Sequence, residues 1–473
     1  MTSVLRHFKI LALTALVAVS FTACNDDDEG NANPITNPLP VGGVYVMSNG
    51  DGQVDGIVQG PNRIVTYSRF SDGTIEPLDN VLTGGDGGDF DGGEGLDPLI
   101  SAYAITKTAD NAFVLAVNAG SNTVSALPVN TDFSLGEPVI IGTSADGPNS
   151  IDTWEAPASM EGVNSLVLVT NISRSQFTEL GEPRHRGTLD SYWLLDDGTF
   201  QSISSVDLDN RPSCVHISPD GNYAIVASIN AGAAGLDIGA TDNEGTGSTG
   251  VGNQDEVVLF SLSGGAPSRL DGATSTLRGN AEERNLPSAI GSQIVTGSDG
   301  EFYVVVTEAR EFRYQGLPPI FPGLQSGSVS TWRIDGNSLE PISLDVPAGS
   351  REDETGRTAC WLDFNDDNSL FYVSNAIEAS IATYSFNNGE VSLVDGTSAQ
   401  GTGVGDIDNG PEAFAVTEGW IDLWVADGFL YQLHGLEGAV SIWDTNNSAN
   451  LTLVDEVNSG FIPANNSQGI VAF

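Results

Sequence analysis

Residues 211–230, RPSCVHISPDGNYAIVASIN, decide the fold. Val215 and Ile217 alternate with His216 and Ser218, Pro219, Asp220, Gly221 and Asn222 have the composition of a tight turn, and residues 223–229 form a β-rich run ending at Asn230. The stretch reads as strand, turn, strand, because alternation fits a packed strand and an Asp-Gly pair supplies the backbone freedom a tight turn needs.

Working outward, weaker copies stand at residues 113–118 (FVLAVN), 166–171 (LVLVTN), 303–308 (YVVVTE), 371–375 (FYVSN) and 430–434 (LYQLH). A second apolar run follows most of them after a polar loop, as at 123–127 (TVSAL), 256–261 (EVVLFS), 328–332 (SVSTW), 380–384 (SIATY) and 439–443 (AVSIW). Asn49, Asn118, Asn171, Asn230, Glu308, Asn375 and His434 are equivalent marks in this pattern, one per unit, spaced roughly 50 to 80 residues apart, as in a repeat architecture. Seven marks imply seven units. One four-stranded sheet per unit, with variable loops between, predicts an all-β, seven-bladed β-propeller. A lone sheet of this kind cannot bury both faces, so the sheets must pack radially. Residues 467–473 (SQGIVAF) look like an innermost strand comparable to 101–105 (SAYAI), with no partner strands after them. Pairing that C-terminal strand into the first blade, beside the strand containing Tyr45, closes the ring and leaves no open edge.

The chain opens with Arg6 and Lys9, an apolar run over 10–21, and Ala23 before Cys24. The run is too short to span a bilayer and reads as a secretory signal over residues 1–23. The Cys at its boundary resembles a bacterial lipobox with Phe21 as an imperfect first position; an ordinary signal peptide is the alternative. If lipidated, Cys24 anchors the chain to a membrane, and several acyl chains make such anchoring stable. Residues 24–41 form a polar tether headed by Asp26, Asp27, Asp28 and Glu29, similar to the surface-export signals of Bacteroidota lipoproteins. The propeller takes 42–473. The expected location is the cell envelope, facing the periplasm or the cell surface.

Lys and Arg number 17 against 63 Asp and Glu, a formal net charge of -46. Nucleic acid and anionic lipid are therefore poor partners for the folded body. Lys9 and Lys107 are the only lysines, and nothing basic follows Arg357. Such a surface suits a saline habitat, where screening weakens self-repulsion. Cys214 and Cys360 fall on the expected innermost strands of units four and six, so a bridge would have to cross the central channel. Buried free thiols are expected instead.

Three loops stand out. Residues 84–97 (GGDGGDFDGGEGLD) carry Asp86, Asp89, Asp91, Glu94 and Asp97 on a glycine-rich tether, readable as a solvated loop or as a Ca²⁺ site, although no known calcium loop is matched. Residues 235–256 are similarly Gly-, Thr- and Asp-rich. Residues 310–327 carry Arg310, Arg313, Tyr314 and Phe321 among three prolines, and Arg313 is a candidate wall of a ligand site above the channel. His185, between Arg184 and Arg186, belongs to a loop in unit three.

Turns of the SPDG kind followed by Tyr-x-x-Val and Asn, with a closing C-terminal strand, resemble the seven-bladed lactonase propellers: 6-phosphogluconolactonase of the propeller type and the carboxymuconate lactonising enzymes. The resemblance covers about residues 42–473 and is most specific at 113–127, 211–230 and 368–384. It implies a ligand site at the channel mouth and a set of site residues, most of which differ here. Ser213 stands where the family has His, Ser292 where it has Arg, Ala376 follows Ser374 and Asn375 in place of Arg, and Glu412 follows Pro411 in place of Arg. Glu308 matches the family's Glu.

Opening a lactone needs a base to activate water and donors for the oxyanion, and losing a single donor costs on the order of 10² to 10³ in rate. Two readings follow. One is a lipid-anchored binding propeller with a degenerate site, taking a small molecule, glycan or protein, probed at Asn49, Asn118, Asn171, Asn230, Asn375, His434 and Arg313, and monomeric. The other is a lactone hydrolase with catalytic groups relocated around Glu308, with His216, Arg211, His434 or Arg313 as substitutes. The alternation of His216 with Val215 and Ile217 places it on the blade interface opposite theirs, where a packed imidazole is expected. No cofactor is called for beyond the possible Ca²⁺.

Overall fold

A computed structural model describes residues 38–50, 52–54, 57–88, 97–172, 187–229, 256–273, 288–309, 327–349, 358–376, 378–401, 418–446, 448–464 and 466–473. Seven four-stranded antiparallel sheets make up the fold, with one two-stranded hairpin, Gly52–Val54 with Ile57–Gln59, inside the first unit. In blade order the innermost strands are Ile470–Ala472, Ile105–Lys107, Pro148–Glu155, Arg211–Ile217, Ser288–Thr296, Ala359–Phe364 and Trp420–Ala426. The last blade packs against the first, so the seven sheets form a closed ring.

The apolar runs follow from that packing. A second strand has a neighbouring blade on each face, so Phe113–Asn118 is buried at every position instead of alternating. A fourth strand lies on the perimeter, and Thr452–Val457 is exposed or half-buried throughout. The turn that announced the repeat is built as its composition predicts. Gly221 N–H donates to Ser218 O at 2.8 Å, Asn222 N–H donates to the Asp220 carboxylate at 3.0 Å, and Gly221 takes φ +70°. The same device recurs where Asp110 precedes Asn111, Asp299 precedes Gly300 and Asp367 precedes Asn368, each second residue having positive φ.

Closure is as expected. Val44, Tyr45 and Val46 pair with Ala472, Val471 and Ile470. The Phe473 carbonyl accepts from Gly43 N–H at 3.1 Å and from Arg69 Nε at 2.9 Å, and its ring stacks on Tyr45. Cys214 and Cys360 lie on innermost strands as buried free thiols; burial pushes the Cys214 thiol up to about 12.

Two features differ from the sequence reading. The innermost strand of blade two begins at Ile105, not Ser101, because Ile100 and Tyr103 take φ of +49° and +58°. Residues 97–104 instead run across the channel, bonding to blades four to seven. Ala102 N–H donates to Ser213 O at 2.9 Å, Trp361 Nε1 donates to Ser101 O at 2.9 Å, and the Tyr103 hydroxyl donates to Leu362 O at 2.5 Å. Ile100, Ala102 and Tyr103 share one apolar cluster with Cys214, Ala289, Ile290, Cys360 and Trp361. The second difference is Asp97, read as part of a solvated loop. It is 7 % exposed, while Asp86 is exposed at the end of strand Ile75–Asp86. Among the described residues no helix is long and apolar enough to cross a membrane.

Candidate functional site

The second strand of each blade ends on the face where the innermost strand begins, so the described marks gather at one rim of the ring. They sit one strand out from the channel, and Asn118, Asn171, Glu308, Asn375 and His434 are clamped to the third strand of their own blade. Asn118 Nδ2 donates to Thr123 and Ser125, and its carbonyl accepts from Asn62 and Thr83. Asn171 Nδ2 donates to Thr188 and Asp190, Asn375 Nδ2 to Ser380, and His434 Nε2 contacts Ser441 Oγ at 2.9 Å. Asn49 exchanges two bonds with the Gly88 backbone. All five are buried. Asn230, Arg313, Cys24, His185, Asp89, Asp91, Glu94, Pro411 and Glu412 lie outside the described residues.

Glu308 occupies the same position in blade five. It is fully buried, its carboxylate accepting a short bond from Ser328 Oγ. Burial and the Glu308 charge hold the nearby Tyr384 phenol well above its ordinary value. Neither described histidine turns to it. His216 Nδ1 accepts from Ile294 N–H at 3.2 Å, and Val215 and Ile217 pack on the opposite interface, as the alternation implies. His434 stacks on Trp420 with ring centroids 5.1 Å apart.

At the centre, Ser213 and Ser292 stand on innermost strands. The Ser213 hydroxyl donates to Ala289 O at 2.7 Å, while its carbonyl is taken by Ala102. The transverse segment therefore lies directly against the position where the family resemblance puts a His. Beside it is an acidic pair that sequence reasoning missed. Asp97 accepts from Gln468 Nε2 at 2.6 Å and Ser101 N–H at 3.2 Å; Asp422 accepts from Gly469 N–H at 2.8 Å. Burial, then the charge of Asp422, pushes Asp97 up to about 7 against the opposing effect of those donors and of Arg211, and burial pushes Asp422 to about 7.

Deeper in the channel, side chains of one innermost strand clasp the backbone of the next. Asp152 accepts from Ile217 N–H at 2.7 Å, and Asp363 from Val425 N–H at 2.7 Å and Gln293 Nε2 at 3.0 Å. Burial raises Asp152, and it lifts Asp363 to about 6. Lys107 is committed to Asn111 Oδ1 at 2.8 Å and lies over the Phe473 ring. The geometry is that of fastening: the bonds join neighbouring blades, and burial raises these acids against the opposing effect of His216, whose Nδ1 lies 3.9 Å from Asp152 Oδ2.

His434, Glu437 and Glu456 form the one group of three metal-ligand side chains among the described residues, their ligand atoms all within 4.8 Å of one another. The spacing His434 to Glu437 was readable; the third member comes from the fourth strand, which a linear reading does not bring near.

No family model matches the chain, and no curated relative is found. Solved structures do match in fold. A candidate 6-phosphogluconolactonase of Bacteroides uniformis superposes with a TM-score of 0.55 at 15% identity, covering 91% of this chain and 99% of that one. A second from Bacteroides fragilis gives 0.52 at 15% over 93% and 100%, and the periplasmic gluconolactonase of Pseudomonas aeruginosa 0.54 at 13% over 91% and 99%. The fold is that of the lactonase-type propeller; at these identities the likeness carries the fold alone.

Proposed function

We propose that this chain is a lipid-anchored, extracytoplasmic propeller that binds a small molecule, glycan or protein on its loop-bearing face and does not hydrolyse a lactone. The single observation carrying the second half is the bond from Ala102 N–H to Ser213 O. It fills with the chain's own backbone the space above the position where the family resemblance calls for a base, and Ser292 supplies no cation at the next blade. A reaction that needs a base and an oxyanion donor meets two serine hydroxyls at these two positions, and that of Ser213 already donates to Ala289 O. The basic, apolar start before Cys24 supports export and anchoring, as does the periplasmic setting named for the Pseudomonas neighbour.

Hydrolysis of glucono-δ-lactone, 6-phosphogluconolactone and muconolactone is expected to proceed at the spontaneous rate and to be unchanged by Glu308→Gln. A rate above background that Glu308→Gln abolishes replaces this reading with a hydrolase using Glu308 as its base. Cys24→Ala is expected to move the protein from the membrane to the soluble fraction. Thermal-shift screening against sugar acids and oligosaccharides tests binding through the rise in melting temperature a native-state ligand produces.

A further inference from the structure

We infer that His434, Glu437 and Glu456 form a binding site for a divalent transition-metal ion of the zinc class, on the rim of blade seven. His434 ends the second strand, Phe429–His434; Glu437 lies in the turn that follows; Glu456 is on the fourth strand, Thr452–Val457, paired with Ser441. The imidazole is 1 % exposed, and its Nδ1 has no hydrogen-bond partner among the described residues. That nitrogen points at the carboxylates, 3.7 Å from Glu437 Oε2.

The hydrogen bonds around the ring argue which nitrogen is the ligand. Trp443 Nε1 can only donate, and it donates to Ser441 Oγ at 2.9 Å. The same oxygen has a second lone pair, and His434 Nε2 lies 2.9 Å from it. In the tautomer whose Nε2–H donates there, Nδ1 presents a lone pair to two carboxylates. That arrangement is repulsive without a cation and attractive around one. A ligating imidazole whose far N–H is held by an oxygen is the usual second shell of a metal site. Stacking on Trp420 fixes the ring plane, and Trp420 Nε1 donates to Glu418 Oε2 at 2.7 Å, placing a third carboxylate behind the first two.

One imidazole and two carboxylates suit zinc-class ions better than Ca²⁺, which takes oxygen alone. Ligand atoms around a four-coordinate ion lie about 3.4 Å apart at ordinary zinc–ligand lengths. The exposed Glu437 and Glu456 are free to rotate inward onto the fixed His434. The site stands independently of whether the ring binds another ligand.

The test uses the full chain purified in detergent, stripped with chelator and titrated with Co²⁺ alone. One equivalent is expected to give the intense visible bands of a low-coordinate nitrogen–oxygen site. Zn²⁺ should displace it, and Glu437→Gln and Glu456→Gln, on exposed side chains, should each weaken it at least tenfold with the near-ultraviolet circular dichroism unchanged. His434→Gln should abolish it. The acidic surface binds Co²⁺ loosely through water and oxygen, without those bands. Absence of the bands, or bands indifferent to both glutamate substitutions, overturns the site.

Discussion

Gln468→Met tests the segment that fills the channel. The Gln468 amide donates from Nε2 to Asp97 Oδ1 at 2.6 Å and to Ser101 O at 2.8 Å, and its carbonyl accepts from Leu99 N–H at 2.8 Å. Methionine keeps the length and removes all three bonds. Ser101 O retains Trp361 Nε1 and Asp97 retains the Ser101 N–H, whereas the Leu99 N–H loses its partner. An orphaned buried donor costs about 1–3 kcal/mol and the lost bond to a carboxylate about 1.5–3 kcal/mol, together about 2.5–6 kcal/mol. With a urea slope of about 3 kcal/mol/M, the midpoint followed by tryptophan fluorescence should fall by about 0.8–2 M. The neighbouring Ser467 hydroxyl is buried without a hydrogen-bond partner among the described residues, so Ser467→Ala should stay within about 0.5 kcal/mol of wild type. Equal midpoints for the two variants would refute the fastening role given to residues 97–104.

Other outcomes follow from the same geometry. Asp97 and Asp422 bind protons up to about pH 7 when folded but only to about 4 when unfolded, so the native state holds more protons between those values. Stability is then highest on the acid side and falls as pH rises from about 4 to 7, and Asp422→Asn should flatten that fall in thermal melts. Gly221→Ala puts a Cβ 2.2 Å from the Trp154 indole at a φ of +70°, and should cost about 2–4 kcal/mol by strain and overpacking, read as a lower denaturation midpoint. The melting temperature should rise between low salt and 1 M NaCl as the net charge of -46 is screened; a flat response counts against the saline-habitat reading.

Most of the ring was legible because a blade repeats its own chemistry. The Asp-Gly turn at 220–221, the apolar second strands and the closing pairs of Tyr45 with Val471 all follow from local pattern. The transverse segment was not, because its identity lies in partners far along the chain. Residues 101–105 have an innermost strand's composition, while Ile100 and Tyr103 take positive φ in a segment held by distant partners, Ser213, Trp361 and Asp422 among them. Asp97 looked solvated for a similar reason: its glycine-rich flank is a loop's, and the burial comes from Gln468 and Asp422. The His434 group was half legible, since the strand mark was visible and Glu456 was not its neighbour in sequence.

The hub also sets an order of events for assembly. Tyr103 reaches Leu362 across 259 positions and Ser101 reaches Gln468 across 367. Such contacts carry the loop-closure entropy of long intervening chain and form slowly. An early piece of the chain must therefore wait, apolar and unclaimed, for blades made much later. That waiting state is the one most exposed to aggregation, and a chaperone has the most to gain by holding it.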